Sequence, residues 1–448
     1  MLIDDFAQKL NSKIGVTQTM FGFLILLWPL TCWVLPKFKT RKQAAIFQLA
    51  YGFFMCYFLF GPRVIFAVFL AVSIYPFLEC TPSYVFISAF LINSVTHIYH
   101  MIYTSNGWSM AVTGTCIVIF QKIISVSYNL LDGRIAASGE KLKHDRYNLY
   151  KLDKKPSFLE WLAYCFTAYG GSTGPFIEFR CFEHLITMHE REHIAADSVD
   201  RKMAIKRYLG SLGWAIATLI SFKYCNKDSY SQPWYTEQIL LVRVIIMFLI
   251  TCGQAIKYFT AWFAVEAALF ESGLLSADFT DKLPLPSFSN LSLLKVFESP
   301  SIGDWMKRWN HTTHLCWRNY LFTRLLDSGY GYTIAYNAVF IMSAAWHGFR
   351  PAYYLILPEL WVAMQADSMM LKRWPLDTLS GWQRALRSVW VVGVMMLTMC
   401  AWWFGTAESF FALRKSVCFA PQVLVVAVFV VMKLLPRKAK TTEEKKKD

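Results

Sequence analysis

Charged side chains are scarce: Asp, Glu, Lys and Arg make up 17% of the 448 residues, against 55% hydrophobic. A soluble domain of this length needs more charge to cover its surface, so that class is excluded and a polytopic membrane protein is expected. Paired-cysteine spacing is missing as well. The 11 cysteines include no CxxC, and Cys32, Cys56, Cys116, Cys252 and Cys400 sit inside apolar runs. That fits packing thiols and argues against a disulfide framework. The opening "MLIDDFAQKLNSK" lacks a basic stretch ahead of its apolar run, so no cleavable leader is expected and the first run is read as an anchor. No internal repeat and no linker divides the chain. One membrane domain over 1–448 is expected, with a disordered cytosolic tail at 436–448.

What is present is basic charge beside apolar sequence. The formal net charge is +15. Lys37, Lys39, Arg41 and Lys42 follow the first run, and Arg437, Lys438 and Lys440 follow the last. This is the pattern of cytoplasmic flanks near anionic headgroups, so a bilayer is the expected partner and nucleic acid is not. Apolar runs fall near 16–35, 44–60, 64–78, 83–103, 108–131, 208–222, 238–252, 255–272, 330–348, 351–366, 386–404 and 417–435. They predict an all-α, multi-pass protein of about nine to eleven spans, some tilted or re-entrant. Pro29, Gly61-Pro62, Gly174-Pro175 and Pro421 are expected to break runs, and "YGGSTGPF" (169–176) is the clearest candidate. The polar stretches 132–157 and 183–207 are too charged for lipid, and 276–324 reads as amphipathic sequence at the membrane face.

Several polar residues within this apolar background invite chemistry. "HEREH" (189–193) has the spacing of a helical zinc site, but Arg191 puts a cation beside the ion and no third ligand is near. A charged surface helix is the better reading, and no metal is expected. His97 and His100 are one turn apart and fit hydrogen-bonded core histidines better than ligands. Lys122 lies well inside an apolar run, too deep to snorkel, and must face the protein interior or a polar cavity. Asn290 and Asn310 sit in formal glycosylation sequons, which matter only on the lumenal side.

His347 is the candidate with the most chemistry. From Gly329 to Phe349, 21 residues contain no Lys, Arg, Asp or Glu, a helix of roughly 31 Å at 1.5 Å per residue. Its ring is either a core histidine donating to a carbonyl or a general base. As a base, a neutral imidazole takes the proton from an alcohol attacking a carbonyl. Such chemistry needs a donor for the developing oxyanion, and the uncharged amide of Asn310 suits a low-dielectric site.

Five stretches then fall into order. "QKIISVSYNLLDG" (121–133), "PSFLEWLAYCFTAYGGSTGPFIEF" (156–179), "IKYFTAWFAVEAA" (256–268), "DWMKRWNHTTHLCWRNYL" (304–321) and "SAAWHGFRPAYYL" (343–355) resemble the motifs of the membrane-bound O-acyltransferases, in family order. The resemblance is to the lysophospholipid acyltransferase branch. It implies a helical fold enclosing a catalytic chamber, with His347 and Asn310 as the catalytic pair. Acyl-CoA would enter from the cytosol as co-substrate, with no further cofactor, and a lysophospholipid from the bilayer. The acyl chain would pass to the free hydroxyl at sn-2, and the resemblance leaves a homodimer open. Ala352 departs from the family's glycine before the tyrosine pair. Leu285-Pro286 precede Asn290 where some relatives carry Trp-Asp. Two rivals remain: a relative acting on a protein or sterol hydroxyl, and a transporter with His97, Lys122 and His347 along its pathway. Lys445 and Lys446 in "EEKKKD" resemble a dilysine retrieval signal, so the endoplasmic reticulum membrane is the expected location.

Overall fold

The computed structural model describes Val34 and residues 37–103, 112–168, 174–187, 201–224, 227–271, 293–403 and 405–436. Among these residues all regular structure is helical. The chain runs through α1 Arg41–Phe60, α2 Ile65–Ile74, α3 Pro82–Tyr103, α4 Thr113–Ala137, α5 Asp145–Tyr150 and α6 Phe158–Cys165. Next come α7 Phe179–Ile186, α8 Arg201–Tyr224, α9 Leu240–Glu271, α10 Ile302–Arg308, α11 His311–Trp317 and α12 Thr323–Asp327. The last five are α13 Tyr332–His347, α14 Pro351–Arg373, α15 Gly381–Met399, α16 Ala407–Ser416 and α17 Ala420–Leu434.

Among the described residues, five segments are long and apolar enough to cross a membrane: Arg41–Phe77, Pro82–Tyr103, Thr113–Ala137, Leu240–Phe270 and Gly381–Trp403. A sixth arises if α16 and α17, bent by 80° at their junction, form one broken span. The runs at 238–252 and 255–272 prove to be a single helix, α9, because no proline interrupts its hydrogen-bond ladder. Gly61-Pro62 does end α1: Gly61 takes φ 57° and a tight turn leads into α2. Pro421 does not break a run. It sits in the first turn of α17, where its missing N–H costs nothing. Apart from Val34, the run at 16–35 with Pro29 lies outside the described residues, as do the HEREH segment, Asn290 and the tail beyond 436.

Two compact units share the chain. One comprises 1–223, 255–291 and 310–349, the other 224–254, 292–309 and 350–448. In the first, α4 is the axis: 78% of its apolar window is buried, against 28% for α3. Phe120, Ile123, Ile124, Val126 and Leu130 of α4 lie in one continuous core with Trp161, Tyr164 and Phe182. Short helices are set around it by local signals. The Ser157 hydroxyl accepts from Glu160 N while the Glu160 carboxylate accepts from Ser157 N, a capping box that starts α6. Trp161 then donates to Ala71 O at 2.8 Å, tying α6 to α2. On the other side, α8 meets α9 through Ser211 Oγ donating to Thr260 O at 2.8 Å and an Arg207–Glu266 ion pair at 3.2 Å.

The second unit is held by ion pairs between apolar helices. Arg414 of α16 is fully buried and binds both carboxylate oxygens of Glu359 on α14, at 2.9 and 2.6 Å. Arg387 of α15 donates to Asp367 Oδ1 at 2.7 Å, and Asp367 Oδ2 accepts from Ile302 N at 3.0 Å. With Ser301 as N-cap, accepting from Asp304 N at 3.0 Å, two oxygens occupy the orphan amides of α10.

Candidate functional site

Asn310 and His347 belong to the same unit. Asn310 precedes α11 in a left-handed conformation, φ 48° and ψ 52°, which asparagine tolerates better than most residues. Its carbonyl accepts from His314 N at 3.1 Å, while its half-buried side chain caps nothing. The amide is therefore not spent on the helix. His347 is the last residue of α13, half-buried. Beside it the Trp346 ring stands edge-on at 4.4 Å, and its indole donates to Ile117 O of α4 at 2.8 Å.

The two helices meet through tryptophans. Trp317, seven residues after Asn310, packs edge-on against Trp346 at 5.8 Å and at a tilt against Phe120 of α4 at 6.2 Å. At the other end of α11, Thr312 Oγ1 accepts from Phe176 N at 3.0 Å. The Gly-Pro stretch is thus docked two residues from Asn310. Within that stretch Pro175 to Glu178 is buried and outside any helix, so the expected break lies inside protein. Residues 169–173 of the same motif fall outside the described set.

Gly348 explains the turn after the histidine. It takes φ 110°, a region open to glycine, and a Cβ there would lie 2.6 Å from His97 Nδ1. His97 is buried against this backbone, so it packs the chain beside His347. Gly348→Ala is expected to destabilise the protein by about 1–2 kcal/mol from the backbone alone, with a further clash against His97. Thermal inactivation of Gly348→Ala and of His97→Ala/Gly348→Ala separates the two: the double variant should recover the steric part only. Equal stability of wild type and Gly348→Ala would contradict this packing.

Lys122 faces inward, as expected for an intramembrane cation. Fully buried, it donates to Tyr164 O at 2.6 Å and Cys165 O at 3.3 Å, the last carbonyls of α6, with the Tyr164 ring 4.7 Å away. A cation on orphan carbonyls at a helix C-terminus is stabilising, so its role is structural.

The Asp-Gly motif is structural too. Asp132 receives a two-pronged pair from Arg324, at 2.8 and 2.6 Å, and the guanidinium is sandwiched by Tyr147 at 3.6 Å and Tyr128 at 4.6 Å. Gly133 lets a second backbone in, since a Cβ would come within 1.9 Å of Leu152 O. Between Asn310 and Arg324 the chain makes a π-helical turn, Arg318–Phe322, which buries Tyr320. Its hydroxyl lies 2.8 Å from Glu178 Oε2 and 3.0 Å from Asn129 Oδ1. Sequence reasoning missed Glu178. The available signal was a carboxylate in an apolar stretch directly after Gly-Pro.

At the polar end of the segment, Asp327 accepts from Tyr147 at 2.7 Å and meets His144 Nε2 at 3.0 Å. Burial opposes ionisation of Asp327, but these two partners outweigh it and hold the carboxyl below its usual range. Burial and the facing Asp327 push the Tyr147 hydroxyl up to about 12. Stability from a depressed carboxyl is complete above its unfolded value, about 3.9, and is lost as pH falls through the folded value. Thermal inactivation followed from pH 6 to pH 3 should therefore fall off below about pH 4, and Asp327→Asn should flatten that part. An unchanged profile in the variant would remove Asp327 from the acid response.

Comparison with known proteins places these features in a family. A sequence model of the membrane-bound O-acyltransferase family matches residues 85–409. Lysophospholipid acyltransferase 6 of Drosophila melanogaster is 23% identical over 344 residues, covering 71% of this chain and 46% of the relative. Lysophospholipid acyltransferase 5 of the same organism is 22% identical over 306 residues, covering 66% and 60%. The chain thus spans only about half the length of these two relatives. Lysophospholipid acyltransferase 2 of Arabidopsis thaliana is 23% identical over 470 aligned positions, covering 98% of both chains. The matched span includes α4, the Gly-Pro stretch, Asn310 and His347, and on that match this multi-pass membrane protein belongs to the membrane-bound O-acyltransferase family.

Proposed function

We propose that this protein transfers an acyl chain from acyl-CoA to the free sn-2 hydroxyl of a lysophospholipid. The observation carrying this reading is the meeting of α11 and α13 at Trp317 and Trp346, which holds the Asn310 and His347 segments on one frame. His347 takes the proton of the lipid hydroxyl as its oxygen attacks the thioester carbonyl. Asn310 orients the reactants and donates to the tetrahedral oxyanion. Collapse breaks the C–S bond, and the imidazolium returns its proton to the departing thiolate. No Ser or Cys nucleophile and no metal or further cofactor enters this sequence. The protein acts as one domain of nine to eleven spans around a chamber, in the endoplasmic reticulum membrane, and the reading leaves a homodimer open.

The names of the relatives support lysophospholipid over a protein or sterol hydroxyl, and over transport. The test is purified protein in nanodiscs with a panel of lysophospholipids, sterols and acyl-CoAs, read by mass spectrometry. New diacyl phospholipid supports the proposal. Acylated sterol or protein alone, or no acyl-CoA turnover at all, overturns it.

Asn310→Ala is expected to lower kcat by about 10²–10³, the usual cost of one oxyanion donor, with little change in KM for acyl-CoA. Because Asn310 is left-handed, Ala also brings backbone strain, which Asn310→Gly avoids. Equal losses in both variants assign the effect to the amide; recovery in Asn310→Gly assigns it to the backbone. Glycosylation at Asn310 would place it in the lumen and end its catalytic assignment.

A further inference from the structure

Most of α3 faces away from the protein: 28% of its apolar window is buried. The buried part forms one stripe, since Val85, Ala89, Asn93 and His97 recur every four residues along a single helix face. His97 ends that stripe and is 7% exposed. Its imidazole donates to the backbone carbonyl of Trp346, the residue before His347. Nε2 is buried and has no partner among the described residues, so the donor is Nδ1. Nδ1 also lies over Gly348, the residue after His347, where a Cβ would come within 2.6 Å of it. One ring therefore holds the backbone on both sides of His347.

This bond does what an apolar contact there could not. The Trp346 carbonyl is among the last four of α13, which find no N–H within the helix, and His97 supplies a donor. The donor is an imidazole N–H, which needs no charge. A lysine or arginine would also cap such a carbonyl. It would set a fixed cation beside the ring that becomes an imidazolium on taking the substrate proton. In a low-dielectric interior that repulsion would oppose the transfer. The Trp346 side chain is held separately, donating to Ile117 O at 2.8 Å, and its ring meets that of His347 at 4.4 Å. With the backbone and the neighbouring ring both fixed, the direction of the His347 side chain is fixed with them.

We propose that His97 is a positioning residue for acyl transfer: its hydrogen bond to Trp346, made over Gly348, aims the imidazole of His347 at the attacking hydroxyl. This rests on the reading of His347 as general base. His97 exchanges no proton with the substrate, so its loss acts through His347. A misplacement near 1 Å costs up to about 10²-fold in rate.

The test is a double-mutant cycle between His97→Leu and His347→Ala, with kcat normalised to sites titrated by a non-reactive thioether analogue of acyl-CoA. His97→Leu should lower kcat about tenfold to a hundredfold in the wild-type background, with KM for acyl-CoA unchanged. In the His347→Ala background it should cost nothing further, because the two residues act as one unit. His97→Asn keeps an N–H donor close to the Nδ1 position and should recover most of the rate. A second readout needs no turnover: carbethoxylation of His347 by diethyl pyrocarbonate, mapped by peptide mass spectrometry. The freed ring should react severalfold faster in His97→Leu, while His144, which meets Asp327, keeps its rate. If His97→Leu yields no folded protein, His97→Ala and His97→Asn enter the same comparisons. Unchanged kcat, equal proportional losses in both backgrounds, or no rescue by His97→Asn would overturn the proposal. Wild-type protein without acyl-CoA turnover would instead end the acyl-transfer reading. The carbethoxylation rates then decide whether His97 holds His347, equal rates in wild type and variant overturning it.

Discussion

Replacing His347 by alanine should lower acyl transfer by about 10²–10⁴, the span expected for losing a general base. At 1.36 kcal/mol per tenfold this is roughly 3–5 kcal/mol of transition-state stabilisation. Folding should survive, because the turn after His347 rests on Gly348 and His97, and α13 is anchored to α4 through Trp346. The loss should appear in kcat, with acyl-CoA binding nearly unchanged, since the imidazole acts on the proton and not on the nucleotide. Single-turnover kinetics on protein of verified thermal stability provides the measurement. A well-folded His347→Ala with near-normal turnover would remove the base from the mechanism.

Arg324→Leu should be the most damaging change outside the reacting groups. It leaves Asp132, whose side chain is 1% exposed, as an uncompensated charge inside the first unit. Removing one partner of a buried pair typically costs about 3–5 kcal/mol. The guanidinium also fills the space between Tyr128 and Tyr147, so packing is lost with charge. Because Arg324 closes the segment that begins at Asn310, activity should fall with stability. The informative comparison is Asp132→Leu/Arg324→Leu, which abolishes both charges and should recover much of the loss. Thermal inactivation of both variants decides: a single variant as stable as wild type would show that the pair carries no weight.

Composition and local pattern alone determined the membrane class, the helical architecture and the family motifs. Apolar runs at 83–103 and 108–131 reappear as α3 and α4 with ends shifted by a few residues. The Ser157–Glu160 start of α6 is equally local, since a capping box needs only residues three apart. Periodicity could not decide whether 238–252 and 255–272 were two helices or one, because both readings bury the same residues.

Partner choice for buried polar groups belongs to the tertiary structure. Lys122 finds carbonyls 42 and 43 residues away, and Asp132 finds an arginine 192 positions on. Only packing around α4 brings those groups within hydrogen-bond reach. Asn310 and His347 are 37 residues apart in the chain, and packing places both in the first unit. The tryptophan contact between their helices, and not any local signal, puts both segments on one frame. Local sequence sets which groups are too costly to leave unpaired in an apolar interior. Which atoms meet that cost depends on long-range contacts, and these exist only once the helices have packed.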